Sequence, residues 1–248
     1  MLTCLRSRLP ANPEAFEAHF AGLADSGREG VEIVYPRERL GQSIFTEGHC
    51  QSLLQAVGKH GIRICSVATD GLDIFDLADP DPVHQQASLD GFEELLRAAA
   101  WLGDGTGLII GAHDVHCLKD ISVGGYEVAF NRVFVSVESL VRKAEKLCVE
   151  LHIENSGGGL LLSPLELREF LDEINSPYIG LCFNPAYASH LTDPLDWFSI
   201  MDRRIRAVHM PLGWKDELHD KIIERLERMR FEGPIVYIEP RMDTDKHG

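Results

Sequence analysis

Glu150-Leu-His-Ile-Glu-Asn155, followed at once by Ser156-Gly-Gly-Gly159, is the stretch on which the fold turns. Cys148, Val149, Leu151 and Ile153 form a short apolar run that stops at an acid, an amide and three glycines. Amphipathic segments flank it on both sides, so it reads as a buried parallel strand whose C-terminal end opens into a loop. Glu154 then stands at a strand end, where α/β folds place their chemistry. A strand-end glutamate taken alone is more often half of an ion pair than a catalyst. The other strand ends have to decide.

On the N-terminal side, strands are predicted at Leu2–Leu5, Gly30–Tyr35, Ile62–Ala68 and Gly107–Gly111. Helices are predicted from Asn12-Pro13 to Asp25, near His49–His60, over Val83–Leu102 and over Val133–Leu147. The segment Ala112–Asn131 has no clear period and is the longest irregular connection, which suits a cover over the strand ends. On the C-terminal side, Ser163-Pro-Leu-Glu166 has the N-cap, first-turn proline and third-position acid of a helix start. Strands follow at Tyr178–Phe183, Ile205–His209 and Pro234–Glu239, with a short helix after Asp193-Pro194 and a charged amphipathic one over Lys215–Arg230.

Strand and helix thus alternate eight times, which predicts an α/β fold with a closed parallel (β/α)8 barrel, a TIM barrel, rather than an open sheet. The 248 residues match the roughly 250 of such a barrel, and no linker divides residues 1–248, so a single domain is expected. Little chain remains after the eighth strand, leaving the last outer helix missing or vestigial. Oligomerisation is a natural cover for the flank this bares.

Lysine and arginine number 24 against 39 aspartates and glutamates, a formal charge of −15 that repels phosphate backbones and anionic lipid. Nucleic acid and membrane partners are therefore disfavoured, and no apolar run is long enough to span a bilayer. The start Met1-Leu-Thr-Cys-Leu-Arg6 lacks a signal peptide's features. Six cysteines are scattered without C-x-x-C spacing, and Cys65, Cys148 and Cys182 lie in or beside apolar runs as buried thiols do. A reducing cytoplasmic setting fits this usage.

Four predicted strand ends carry Glu154, Asn184, His209 and Glu239, each about one strand–helix unit from the next, roughly 25–30 residues. In a closed barrel all four project from one face toward one centre. Two carboxylates, an imidazole and an amide oxygen suit Mn²⁺, Mg²⁺, Co²⁺, Fe²⁺ or Zn²⁺. His113 and His116, just past the fourth strand, and Arg241 and Trp214 near the last two are candidate substrate contacts, although solvated histidines, surface ion pairs and simple packing are ordinary alternatives. Glu32 lies in a strand whose neighbours alternate, so it faces either the barrel centre or the helices.

The chain resembles the xylose isomerase-like TIM barrels, which include sugar isomerases, ketose 3-epimerases, inosose dehydratases and, more distantly, apurinic endonucleases. The resemblance is carried by Gly30-Val-Glu-Ile33, Leu151-His-Ile-Glu-Asn155, Ile179-Gly-Leu-Cys-Phe-Asn184, Val208-His209 and Val236-Tyr-Ile-Glu239. It implies a divalent metal held by Glu154, Asn184, His209 and Glu239, with Glu154 and Glu239 as the two proton carriers. It also implies a substrate contact at Tyr187. The family pattern has Asp at the position of Asn184, His at that of Tyr187 and an Asp soon after His209, where this chain has Met210-Pro-Leu212. With Asn184 the cage carries two negative charges rather than three, so a weak or absent metal is expected.

The expected function is a metal-dependent isomerase or epimerase of a small keto-sugar or polyol, moving a proton between Glu154 and Glu239. The alternative is a non-catalytic or metal-free barrel that binds a sugar-like ligand or a partner protein. Cleavage of abasic DNA is disfavoured by the charge. Because Asn and Asp are nearly isosteric, Asn184→Asp is expected to tighten metal binding at little cost to the fold.

Overall fold

Eight parallel strands close on themselves in strict chain order, the last pairing with the first. A computed structural model describes residues 1–10, 12–35, 46–69, 76–111, 124–155 and 159–239. The strands are β1 (Leu2–Arg8), β2 (Gly30–Tyr35), β3 (Arg63–Thr69), β4 (Gly107–Ile110), β5 (Leu151–Glu154), β6 (Ile179–Phe183), β7 (Ile205–Pro211) and β8 (Pro234–Ile238). Every residue of β2, β4, β5 and β6 is buried, as expected where a parallel sheet is covered on both faces. The chain is a (β/α)8 barrel.

The helices among the described residues are α1 (Phe16–Ala24), α2 (Glu47–Lys59), α3 (Pro82–Leu102), α4 (Gly125–Leu147), α5 (Pro164–Ile174), α6 (Pro185–Ala188), α7 (Pro194–Met201) and α8 (Glu217–Arg228). Side chains of Thr46, Asp81, Ser163, Asp193 and Asp216 accept backbone N–H bonds at the starts of α2, α3, α5, α7 and α8. Those caps satisfy donors that the first helical turn cannot pair internally. Apolar faces of these helices and the outward side chains of the strands form the main core, with Phe92, Leu95, Leu108, Phe170, Phe183 and Trp197 fully buried.

Two expectations are corrected. Helix α4 begins at Gly125, eight residues before Val133: its buried face already starts at Ala129, and Gly124 takes the left-handed conformation (φ 99°) at the helix start. Cys148 is exposed, since it ends α4 in the left-handed conformation (φ 55°) instead of entering the strand. The start of the expected cover, 112–123, and the chain after 239 lie outside the described residues. No described helix is long and apolar enough to cross a membrane.

Two register shifts decide which side chains face the barrel interior. Val31 pairs with Ile64 but Glu32 pairs with Ser66, so β3 has one extra residue there. Leu181 pairs with Ile205 but Cys182 pairs with Ala207, so β7 has an extra residue at Arg206. Each bulge changes which face the side chains beyond it occupy. Leu181 and Ile205 pack outward in the main core, whereas Cys182 and Ala207 pack together inside the barrel. Two residues further, His209 therefore points inward as well.

Candidate active site

Inside the C-terminal mouth, β1, β2, β3, β5 and β7 each contribute one polar side chain to a single buried cluster. His209 is fully buried and spans two carboxylates, with Nδ1 2.7 Å from Glu154 Oε1 and Nε2 3.1 Å from Glu32 Oε2. Ser66 donates its hydroxyl to Glu32 Oε2 at 2.7 Å, and Arg6 Nε stands 3.1 Å from Glu32 Oε1. The β3 bulge is what sets Ser66, rather than Cys65, beside Glu32.

With an acceptor on each ring nitrogen, His209 makes both bonds only when both nitrogens carry protons. Burial opposes that charge, but the Cys182 sulfur, Glu32 and Glu154 outweigh it and raise the imidazole pKa well above its usual value. Burial also pushes the Cys182 thiol up to about 11, so it is neutral at physiological pH and the carboxylates are the charges that count. Burial alone would raise Glu32, yet His209, Arg6 and the Ser66 hydroxyl bring it down to about 2. Glu154 is likewise lowered despite its burial, by His209, Arg6 and an amide bond from Asn184. Two anions and two cations thus neutralise one another, which is how a buried charged cluster becomes tolerable.

Asn184 follows β6 and caps α6. Its Oδ1 accepts from the backbone N–H groups of Ala186 (3.1 Å) and Tyr187 (3.3 Å), and its Nδ2 donates to Glu154 Oε1 (2.9 Å). The short helix explains this orientation: the cap needs an oxygen at the backbone, which leaves the amide N–H₂ facing the cluster.

Glu154, Asn184 and His209 therefore lie in one hydrogen-bonded group. Glu239 stands exposed just beyond β8, at the same mouth and three strands around the barrel from Glu154. Tyr187 is half-buried in α6. Trp214, in the loop after β7, donates its indole N–H to Asp216 at 2.7 Å and packs against the main core. His113, His116 and Arg241 lie outside the described residues. Glu32, left open between two faces by the sequence, faces inward. Arg6 and Ser66 carried no motif, and only the pairing of β1, β2 and β3 brings them in.

The donor atoms do not fit a divalent ion as they stand. The amide oxygen of Asn184 is spent on the helix cap, and both nitrogens of His209 face carboxylates. Among the described residues no group of three or more His, Cys, Asp or Glu side chains has a metal-holding arrangement.

A closed parallel barrel with its polar cluster at the C-terminal strand ends defines the class of (β/α)8 proteins that carry sites at that face. Within that class the chain belongs to the xylose isomerase-like TIM barrel family, whose model matches residues 20–247. Among solved structures it is similar to a 3-keto-D-glucoside 4-epimerase from E. coli, with 14% identity and a TM-score of 0.79 over 99% of this chain and 94% of that one. It is also similar to D-psicose 3-epimerase from Clostridium cellulolyticum H10, with 15% identity and a TM-score of 0.78 over 97% and 85%. A xylose isomerase domain protein from Planctomyces limnophilus aligns with 17% identity and a TM-score of 0.69 over 96% and 90%. No curated protein matches the sequence. At these identities the likeness is one of fold.

Proposed function

We propose that the protein is an isomerase or epimerase of a small keto-sugar or polyol that moves a proton between Glu154 and Glu239. The observation that carries this reading is the Glu154–His209–Glu32 run, a charge-compensated carboxylate pair at the mouth where barrels of this kind work. Sugar epimerases among the similar structures support the substrate class.

The roles follow from position. Glu154 and Glu239 end strands three apart in a ring of eight, so both stand at one mouth. Val236 and Ile238 pack inward and Ile235 and Tyr237 outward, so Glu239 meets a ligand opposite Glu154 by turning inward just past β8. Glu154 is the oriented member: Asn184 and His209 fix Oε1, and a rigid base needs less reorganisation in the transition state. His209 compensates the negative charge of Glu154 before the proton arrives, and Glu32 with Arg6 keeps His209 charged and oriented. Glu239, exposed, exchanges its proton with water. Because the described donors do not fit a divalent ion, every step is assigned to side chains.

A specific observation favours a second reading, a barrel that binds sugar-like ligands without turning them over. The two N–H bonds to Glu154 Oε1 lower its basicity, which weakens it as a base toward a carbon acid. One experiment separates the two. Purified protein is incubated with a panel of ketoses in D₂O, with added Mn²⁺ and with chelator, and carbon-bound deuterium is followed by NMR. Deuterium entering beside the carbonyl, and its loss in Glu154→Gln, supports the enzyme. Binding by calorimetry with no exchange under either condition supports the second reading.

A further inference from the structure

Taking a proton from the carbon beside a carbonyl leaves the C–H electron pair in a new carbon–carbon double bond. The carbonyl pair moves onto oxygen, which becomes an anion and needs a positive or N–H group placed to receive it. A divalent ion can do this. Here the donor atoms that would hold one are committed elsewhere, the Asn184 oxygen to a helix cap and both His209 nitrogens to carboxylates. The partner of the oxyanion then has to be a side chain.

Most hydrogen-bond donors of the cluster are out of a ligand's reach. His209 is fully buried, and Ser66 and Asn184 are 2% exposed or less. Each also spends its donor inside the cluster, Ser66 on Glu32, Asn184 on Glu154 and His209 on both acids. Arg6 differs: 15% of its side chain is exposed. It pairs in register with Glu32, so the two side chains share the inner face of the barrel. Two residues back on that face, Cys4 packs with Cys65 and Val236 and closes the barrel toward its N-terminal end. The accessible part of Arg6 therefore lies on the side of the C-terminal mouth. Its Nε stands 3.1 Å from Glu32 Oε1, which orients a planar fork of five N–H donors. Burial raises the Glu154 carboxyl, but His209 and then Arg6 bring it below the usual range, so cation and base share one small space.

We propose that Arg6 receives the carbonyl oxygen of the bound ketose as that oxygen turns negative, the part a divalent ion plays in a metal enzyme. This rests on the reaction proposed above. Glu154 takes the proton, the enediolate oxygen lies on the guanidinium, and Glu239 delivers a proton to carbon as the electron pair returns. The negative charge thus passes from Glu154 to the substrate oxygen while Arg6 faces both. With Glu32 holding Nε, the guanidinium is in place before the charge develops.

Calorimetric titration of the whole chain, with chelator present, tests this. The probes are glycolohydroxamate, whose planar O–C–N–O edge has the shape of an enediolate, and glycolamide, which lacks the second oxygen. Wild type is expected to bind the hydroxamate about tenfold or more tighter than the amide. In Arg6→Met/Glu32→Gln the lost cation is balanced by the lost acid, and the preference should fall to about threefold or less. A purely structural role for Arg6 would weaken both probes together and leave their ratio unchanged. Should the double variant fail to fold, Arg6→Lys replaces it, and losing the fork should reduce the preference about threefold or more. No preference in wild type, or an unchanged preference in the variant titrated, would overturn the proposal. Deuterium exchange into ketoses, followed alongside, reports on the reaction separately. Exchange without the preference keeps the reaction and removes Arg6 from it. An Arg6-dependent preference without exchange keeps the ligand contact and removes the reaction.

Discussion

Asn155 and Asn184 hold each other in a reciprocal clamp: the Asn155 side chain donates Nδ2 to the Asn184 carbonyl at 2.9 Å and accepts the Asn184 N–H on Oδ1 at 2.6 Å. Both residues are buried, so the amide substitutes for a further rung of the β5–β6 ladder just where the strands end. The clamp fixes the backbone from which Asn184 reaches both its helix cap and Glu154.

Removing the clamp should therefore cost more than a surface amide would. Asn155→Ala leaves the buried Asn184 N–H unpaired, while the Asn184 carbonyl keeps the Ala188 N–H at 3.1 Å, a cost of about 1–3 kcal/mol. Urea denaturation is the check. A loss below about 0.5 kcal/mol, the range of ordinary surface changes, would mean that water replaces the amide.

Asn184→Asp is the informative change for metal. The shapes match, but the bond from the Asn184 amide to Glu154 leads us to expect a cost that shape alone does not. Asp has no N–H to give Glu154 Oε1, and a carboxylate would replace a donor that sits 2.9 Å away. The metal-free variant should lose about 1–3 kcal/mol, the cost of a lost buried partner. Mn²⁺ should then raise its melting temperature by neutralising the new charge, with a smaller rise in wild type. Equal responses to Mn²⁺ in the two proteins would sink this expectation.

The cluster also sets a pH window. Glu32 and Glu154 have folded pKa values below their unfolded ones, so their contribution is full above about pH 4.3 and is lost as pH falls toward 2, the folded value of Glu32. His209 is raised, so its contribution is full below about pH 6.5 and is lost as pH climbs through its folded value. All three contribute fully only between roughly pH 4.5 and 6.5. Melting curves from pH 3 to 10 should fall on both sides of that window, and His209→Gln should flatten the alkaline side. An unchanged alkaline slope in His209→Gln would show that another group sets the alkaline limit.

Arg6 offers a test of charge compensation. Arg6→Met keeps most of the stem but leaves Glu32 and Glu154 with His209 alone, an excess negative charge in a dry site. Breaking a buried pair on one side costs about 3 kcal/mol or more. Arg6→Met/Glu32→Gln should recover much of that loss, because the second change removes the unpaired charge. Unfolding free energies of the two variants decide it. No recovery in the double variant would show that Arg6 acts by packing.

Much of this architecture was legible in the chain. Eight alternations of strand and helix pointed to the barrel, and Glu154, Asn184 and His209 were visible because each ends an apolar run in acid, amide or imidazole. Glu32 was readable only to two alternatives, since strand parity says which residues share a face but not which face is inside. Arg6 was lost by ending the first strand at Leu5, three residues early. Ser66 was lost because a bulge has no signature in a period-two pattern, and a slip of one residue exchanges the faces. The amide orientation at Asn184 depends on the helix after it, and four residues of helix leave almost no periodic signal.

The bulge at Arg206 has one more consequence. Below it β7 is in one alternating frame, and above it in the other, so a single residue links the identity of the two mouths. Deleting residue 206 would take the guanidinium from one end and, in the same stroke, turn the imidazole of His209 toward the helices at the other. Point substitutions can tune each end separately, but a change in strand length here cannot. In descendants of this chain, the length of β7 should be far more constrained than the residues that fill it.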